Sequence, residues 1–172
     1  RRYTAERFLE TIQKLQSRLD RPGLTTDVIV GFPGETDAEF EQTVDVCRQA
    51  GFHKLHLFPF SPRQGTPAAT LPDRVSGVGV NERMERLKVV EAELAARYYH
   101  QCIGRPLQVL VEGLADDPSG AVVGTDRRYV TVRLPGDASD VNQLLDVRGA
   151  SVGGRWLNGE RCCGPEREAA GH

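Results

Sequence analysis

Residues 25–36 read TTDVIVGFPGET, a β-branched and apolar run followed by two glycines, a proline and a threonine. Residues 26–30 are apolar on both faces, which is typical of a strand covered on both sides in a parallel sheet. Thr36 and Glu39 form a capping-box pattern, which predicts a helix that ends at Gly51. VGFPGET is therefore predicted to join a strand to a helix at the carboxyl end of the strand, where ligands of parallel sheets collect.

The neighbouring segments extend this α/β pattern. Apolar residues at helical spacing predict an amphipathic helix from Thr4, its N-cap, to Leu19. His53 to Phe58 is predicted to be a second strand, and a long helix is predicted from Asn81 to Gly104. The order helix, strand, helix, strand indicates a parallel sheet, either open or closed into a barrel, and two strands do not decide between these.

The pattern changes at Arg105 to short alternating runs separated by Gly, Asp and Pro clusters. The runs are Leu107 to Glu112, Ala121 to Gly124, Tyr129 to Leu134 and Leu144 to Val152. We expect five short strands in about 55 residues, four of them in these runs, which predicts a small antiparallel barrel of the OB-like kind. The predicted organisation is an α/β domain over 1–104, a β barrel over 105–161 and a disordered tail over 162–172.

Composition restricts the class of protein. The chain has 172 residues, 39% hydrophobic and 27% charged, as expected of one globular domain or two small ones. A formal net charge of -2 gives no general sign of a nucleic-acid partner, although a local basic surface stays open. No apolar window approaches the roughly 18 residues that span a bilayer, so we expect a cytoplasmic protein without membrane contact.

The four cysteines do not predict a metal site. They form neither a CxxC pair nor a three-cysteine cluster motif. Cys47 and Cys102 lie on apolar faces of predicted helices, where inert buried thiols are expected.

Two loops are candidates for ligand binding. In the first, Gly31 and Gly34 remove side chains where a ligand would approach, and the helix after it offers backbone amides. A tight turn alone would favour the same residues, so both interpretations stay open. The carboxylate of Glu35 either orients a polar ligand or stabilises the helix amino end.

The second candidate is residues 58–67, FPFSPRQGTP, which follows the neighbouring strand and is predicted to face the same crevice. Phe58 and Phe60 suit an adenine ring, and Arg63 suits a carboxylate or phosphate, although a stiff lid without a ligand has the same composition. In the β barrel, Arg127, Arg128 and Tyr129 combine two guanidinium groups with an aromatic ring, which suits RNA; a solvated hairpin is the alternative.

Four stretches together resemble one family. TTDVIVGFPGETDAEFEQT, LHLFPFSPRQGTPAA, VLVEG and GTDRRYVTVRL are similar to the C-terminal part of the radical S-adenosylmethionine methylthiotransferases, and the resemblance covers Arg1 to about Glu160. The resemblance implies that the chain contains the last strands of a partial TIM-like barrel, followed by a TRAM domain that binds RNA. It also implies that S-adenosylmethionine lies beside Val30, Gly31, Gly34, Glu35, Phe58 and Phe60, with Arg2 at the cofactor's polar end.

The second loop, HLFPFSPRQGTPAA, resembles most closely the branch that adds a methylthio group to N6-threonylcarbamoyladenosine beside the tRNA anticodon. The family's CxxxCxxC motif and its N-terminal cluster domain are absent from this sequence, so the ligands of the two 4Fe-4S clusters are missing. We therefore expect either a piece of a longer tRNA methylthiotransferase or a gene remnant, inactive alone and without catalytic residues of its own. The alternatives are a non-catalytic RNA-binding protein and the branch that modifies a ribosomal protein.

Overall fold

The computed structural model describes residues 3–117 and 119–162. Contacts divide the chain into two compact units, the first running to Ala95 and the second beginning at Ala96. The predicted domain boundary after Gly104 stays a prediction. In the part of the chain that the structure describes, no helix is long and apolar enough to cross a membrane.

The first unit has the predicted order of helices and strands. Its elements are α1 (Ala5–Arg18), β1 (Thr25–Val30), α2 (Asp37–Ala50), β2 (Lys54–Pro59) and α3 (Gly77–His100), which continues into the second unit. Strands β1 and β2 pair in parallel, in a register that runs from Thr25 opposite Lys54 to Val30 opposite Pro59. The core between this sheet and the helices contains Val44, Leu55 and Leu87, among others.

Local capping chemistry sets most helix ends where the sequence predicts them. The Thr4 side chain accepts a hydrogen bond from the Arg7 amide at 3.3 Å and caps α1. Thr36 and Glu39 form the reciprocal capping box of α2, and Gly51 ends that helix in the left-handed region at φ 66°. These three predictions are confirmed.

The start of α3 differs from the prediction. The helix begins at Gly77, so Asn81 lies inside its first turns. The Ser76 hydroxyl accepts a hydrogen bond from the Gly79 amide at 3.1 Å, and the Ser76 carbonyl accepts one from Val80 at 2.9 Å. The serine therefore caps the helix one turn earlier, despite the low helix propensity of two glycines.

The expectation that β1 is covered on both sides is wrong. Burial alternates along both strands: Val30 and Leu55 are buried, whereas Ile29 is 56% exposed and Phe58, its register partner, 50% exposed. The α helices cover one face of the sheet, and the opposite face, which contains Asp27, has no cover among the described residues. The apolar composition of the strand is the same whether one face or both are covered, so the sequence pattern did not distinguish them.

The second unit contains a closed five-stranded barrel in the order β3-β4-β5-β7-β6. The strands are β3 (Pro106–Leu114), β4 (Ala121–Asp126), β5 (Thr131–Pro135), β6 (Leu144–Gly153) and β7 (Trp156–Arg161). All neighbouring pairs are antiparallel except β5 with β7, which is parallel. The small β barrel predicted from the alternating runs is confirmed. The partial TIM-like barrel stays a prediction, because the first unit has a sheet of only two strands among the described residues.

Two details of the barrel differ from the sequence pattern. Strand β7 follows no predicted run; its position depends on pairing with β5 and β6 rather than on local alternation. Tyr129, predicted at the start of a strand, lies instead in a turn at φ 62°, and β5 begins at Thr131. The predicted disordered tail covers residues 162–172, and its residues from 163 onward lie outside the described part of the chain.

Candidate functional site

The two candidate loops lie side by side at the carboxyl edge of the two-stranded sheet. We call residues 31–36 the first loop and residues 60–76 the second loop. The Phe60 amide donates to the Val30 carbonyl at 2.8 Å, which continues the strand pairing into the loops. The rings of Phe32 and Phe60 meet edge to face, with centroids 5.2 Å apart. The predicted shared edge is therefore present.

Gly31 is required by contacts within the protein. It adopts φ 75°, a left-handed conformation that favours glycine, and its amide donates to Glu35 Oε2 at 3.0 Å. A Cβ at this position would lie 2.5 Å from the Cγ2 atom of Val80 on α3. Tight packing thus accounts for this glycine without a ligand.

Gly34 has a different environment. It adopts φ 82°, its amide donates to the Asp73 carbonyl of the second loop at 2.8 Å, and no atom lies within 4 Å of the Cβ position. The amides of both glycines are therefore satisfied inside the protein and do not form a cradle for a phosphate. A ligand at the first loop would meet an open, uncharged backbone surface beside aromatic rings.

Glu35 faces a buried arginine that sequence reasoning missed. Arg83 on α3 is 8% exposed; its Nη1 lies 2.6 Å from Glu35 Oε2, and its Nη2 donates to Asp37 Oδ1 at 2.7 Å and to the Glu35 carbonyl at 3.2 Å. Its guanidinium also lies over the Phe40 ring, 5.2 Å from the centroid. Burial alone lowers the pKa of Arg83, but the carboxylates of Asp37 and Glu35 outweigh it, so the pKa is raised.

One signal in the sequence indicated this arginine. Arg83 interrupts an apolar stripe of α3, which continues through Leu87, Val90 and Leu94 at spacings of four, three and four. A charged residue on a buried stripe needs a partner of opposite charge. Its partners lie 46 to 48 residues away in the chain, too far for a local pattern to identify them.

The other predicted cofactor residues differ in accessibility. Phe58 is 50% exposed and Phe60 is half-buried. Phe32, which was not among the predicted residues, is 42% exposed, so three aromatic side chains are available near the first loop. Val30 is buried and presents only its backbone. Arg2 lies outside the described residues, and its role stays a prediction.

Arg63 occupies a tight turn of the second loop. Its carbonyl accepts hydrogen bonds from the Thr66 amide at 3.1 Å and the Thr66 hydroxyl at 2.8 Å, and its side chain is exposed. The turn fixes the backbone while the guanidinium stays accessible to an anionic ligand.

The predicted RNA-binding residues form the turn between β4 and β5, which we call the barrel turn (Arg127 to Tyr129). Asp126, almost fully buried, organises this turn because its Oδ1 accepts hydrogen bonds from the amides of Arg128 at 2.8 Å and Val130 at 2.9 Å. Tyr129 is 74% exposed and Arg127 is also exposed. The barrel turn therefore presents an aromatic ring and a cation on a rigid base.

A shallow cavity of about 280 Å³ adjoins the barrel turn. Its lining combines both charges with apolar side chains: Pro106, Leu107, Gln108, Asp126, Arg127, Arg128 and Asp146. Sequence reasoning did not identify Asp126 as the residue that shapes this surface; the signal was its place between two predicted strands, where aspartate side chains accept hydrogen bonds from the amides that follow.

The described residues contain no group of three His, Cys, Asp or Glu side chains that would hold a metal ion. Cys47 and Cys102 are buried separately, and burial raises the pKa of Cys47 to about 11. A neutral, buried thiol is a poor ligand for an iron–sulfur cluster, which binds thiolates. The described part of the chain therefore does not fit a cluster.

Comparison with known proteins identifies relatives of this chain. The chain is 38% identical over 160 residues to the tRNA-2-methylthio-N(6)-dimethylallyladenosine synthase of Geobacillus thermodenitrificans, covering 93% of this chain and 31% of that protein. It is 36% identical over 160 residues to the synthase of the same name from Alkaliphilus oremlandii, covering 93% of this chain and 34% of that protein. The chain thus spans about a third of the length of these relatives. No protein-family model matches it.

Proposed function

Since this chain is related along 93% of its length to the tRNA methylthiotransferases, we propose that it supplies part of a cofactor pocket and an RNA-binding surface to such an enzyme. This relationship confirms the family resemblance. The observation that carries the proposal is the meeting of the two loops, with exposed aromatic rings, at one edge of a parallel sheet. The whole reaction would require residues beyond those described here.

The first part of the proposal concerns S-adenosylmethionine. Phe32, Phe58 and Phe60 offer apolar surface for an adenosyl group, and Gly34 leaves open backbone beside them. The amides of the glycines are already satisfied, so the neutral adenosyl end suits the first loop better than the cofactor's carboxylate. Arg2 is assigned to that polar end.

The second part concerns the incomplete sheet. Each of the two parallel strands has one partner among the described residues, and the sheet has an uncovered face with Ile29 and Phe58. We assign the sheet to the end of a partial TIM-like barrel whose other strands pair with its free edge. The two 4Fe-4S clusters would be bound by those other parts, because the described residues do not fit them. When bound, a reduced cluster supplies the electron that cleaves S-adenosylmethionine.

The third part assigns RNA binding to the barrel, as a TRAM domain. Tyr129 is positioned to stack on a base and Arg127 to contact a phosphate, and Arg63 adds a further exposed cation from the second loop. This role makes tRNA the partner and the cytoplasm the expected location. A purely RNA-binding, non-catalytic protein is less favoured because the relatives are named synthases. Modification of a ribosomal protein is less favoured because the relatives' names specify a tRNA nucleoside.

The modified nucleoside has two candidates. The names of the relatives favour N6-dimethylallyladenosine. The sequence motif HLFPFSPRQGTPAA favours N6-threonylcarbamoyladenosine, which is the expectation stated from the sequence. In both cases the methylthio group would be added to C2 of an adenosine beside the anticodon.

Mass spectrometry of tRNA nucleosides tests the proposal. We expect deletion of the gene to abolish the methylthio derivative of one of the two nucleosides and to leave its unmodified precursor. The derivative that disappears identifies the substrate. If both derivatives persist at the wild-type level in the deletion strain, the proposed function is wrong.

A further inference from the structure

Two arginines on α3 form ion pairs toward the amino-terminal part of α2, in very different environments. Arg86 pairs with Glu41 at 2.6 Å, and their side chains are 51% and 44% exposed. Arg83, less than one turn away, is buried and binds Glu35 and Asp37. Exposed pairs contribute little to stability, whereas a buried arginine and carboxylate depend on each other.

The buried pair continues into the first loop. Glu35 Oε2 accepts hydrogen bonds from both Arg83 Nη1, at 2.6 Å, and the Gly31 amide, at 3.0 Å. The carboxylate thus connects α3 to the left-handed glycine at the end of β1. Without Arg83, the carboxylate would lose its counter-charge and turn toward water, which would release the Gly31 amide.

Arg83 also holds the other end of the loop. Its Nη2 donates to the Glu35 carbonyl at 3.2 Å and to Asp37 at 2.7 Å, in the first turn of α2. A planar guanidinium makes these contacts at the same time because its donors point in fixed, separate directions. A lysine ammonium keeps the charge but lacks this planar arrangement of donors.

We propose that Arg83 is a positioning residue of the proposed cofactor pocket, which sets the shape of the first loop through Glu35 and makes no contact with the ligand itself. The ligand class is the adenosyl group of S-adenosylmethionine, so this inference depends on the proposed function. A merely stabilising role would lower the unfolding temperature without a specific effect on the loop.

The test compares variants of the full-length protein that contains this chain. Arg83→Ala removes the contacts, Arg83→Lys keeps the charge without the planar arrangement of donors, and Arg86→Ala is the matched control on the same helix. Leu94→Ala removes a buried side chain farther along α3 and controls for lost stability. Should Arg83→Ala fail to fold, Arg83→Lys and Glu35→Gln replace it, since both keep the side-chain volume closer to the original.

Two measurements are made on each variant. Hydrogen exchange at the Gly31 amide reports the loop, and the dissociation constant of S-adenosylhomocysteine, an unreactive analogue, reports the pocket. We expect Arg83→Ala to speed exchange at Gly31 and to weaken binding by roughly tenfold or more, because small misplacements of positioning groups have large effects. Arg83→Lys is expected to restore part of the binding. Arg86→Ala and Leu94→Ala should each stay within about twofold of wild type in binding.

Two outcomes contradict the inference separately from the proposed function. If Arg83→Ala weakens binding no more than Leu94→Ala does, Arg83 is only a stabilising residue. Phe32→Ala and Phe60→Ala, at the two rings that meet between the loops, test the pocket itself. If these two leave binding unchanged, the proposed cofactor pocket is wrong, and the inference that depends on it falls as well.

Discussion

The barrel pairs every strand edge within itself, whereas the two-stranded sheet has outer edges without a partner strand among the described residues. Every barrel strand has a neighbour on each side, and alternate residues of β4, such as Val122, are buried inside. In the sheet, each strand has one neighbour among the described residues, and one face exposes Ile29 and Phe58. Closure makes the barrel a self-contained unit, whereas two open strands are marginal by themselves.

The largest expected effect is in the barrel, at Gly124. A Cβ there would lie 2.2 Å from the Leu110 carbonyl oxygen, which is backbone of the paired strand and cannot rotate away. Gly124→Ala should therefore lower the free energy of unfolding by about 3 kcal/mol. Urea unfolding followed by the fluorescence of Trp156, the single tryptophan, measures it.

Gly113→Ala is the matched control, because Gly113 lies in β3 and no atom lies within 4 Å of its Cβ position. Its effect should be within about 0.5 kcal/mol. Equal destabilisation by the two substitutions would contradict the close approach of β3 and β4 at Gly124.

The next effect compares apolar side chains of the two units. Leu134 is fully buried in the barrel, so Leu134→Ala should cost about 2 kcal/mol through lost burial and a cavity. Ile29→Ala on the uncovered sheet face should change the stability of this chain by less than about 0.5 kcal/mol. Thermal unfolding by circular dichroism distinguishes them. A large loss at Ile29 in the isolated chain would mean that its face is covered.

A smaller effect is expected at the helix caps of the first unit. Thr36→Ala removes the capping box of α2 and should cost about 1 kcal/mol. Thr4→Ala removes a single longer hydrogen bond from α1 and should cost less. Urea unfolding followed by far-ultraviolet circular dichroism measures both, and the reverse order would contradict the capping assignment.

The same cap has a dependence on pH. Hydrogen bonds from the Thr36 backbone and side chain lower the pKa of Glu39 below its ordinary value of 4.5. The carboxylate therefore stabilises the folded state above pH 4.5, and this contribution disappears as the pH falls through the lower folded pKa. The difference in stability between wild type and Thr36→Ala should narrow over that acidic range. A stability difference between wild type and Thr36→Ala that stays constant with pH would contradict this role of the Glu39 carboxylate.

The smallest effect is a rate of thiol labelling. Among the described residues, each unit contains one buried cysteine, Cys47 in the first and Cys102 in the second. Since burial raises the pKa of Cys47 to about 11, its labelling near neutral pH requires local opening. In a variant with Cys162 and Cys163 replaced by serine, we expect Cys47 to react before Cys102 in dilute urea. The opposite order would show that the barrel opens more easily than the sheet.

Features set by short-range chemistry were predictable from the sequence. The caps at Thr4, Thr36 and Gly51 follow from side-chain and backbone preferences within a few residues. The meeting of the two loops follows from the parallel order of the strands, because their carboxyl ends share one edge. The family resemblance added the expectation that these loops lie beside S-adenosylmethionine, which stays a prediction.

Features set by distant contacts were not predictable. Arg83 meets carboxylates 46 to 48 residues away, and Ser76 caps α3 before two glycines that weaken the local helical pattern. Strand β7 is placed by its pairing with β5 and β6. The exposure of Ile29 depends on what lies opposite its face, which an apolar run does not encode.

Hydrogen exchange of backbone amides tests the central contrast most directly. In this chain alone, amides of β4 and β5 should exchange roughly a hundredfold more slowly than those of β1 and β2, because only the barrel closes its own pairing. In a protein of the relatives' full length, protection of β1 and β2 should rise while that of the barrel stays constant. Equal protection of sheet and barrel in the isolated chain would contradict the account.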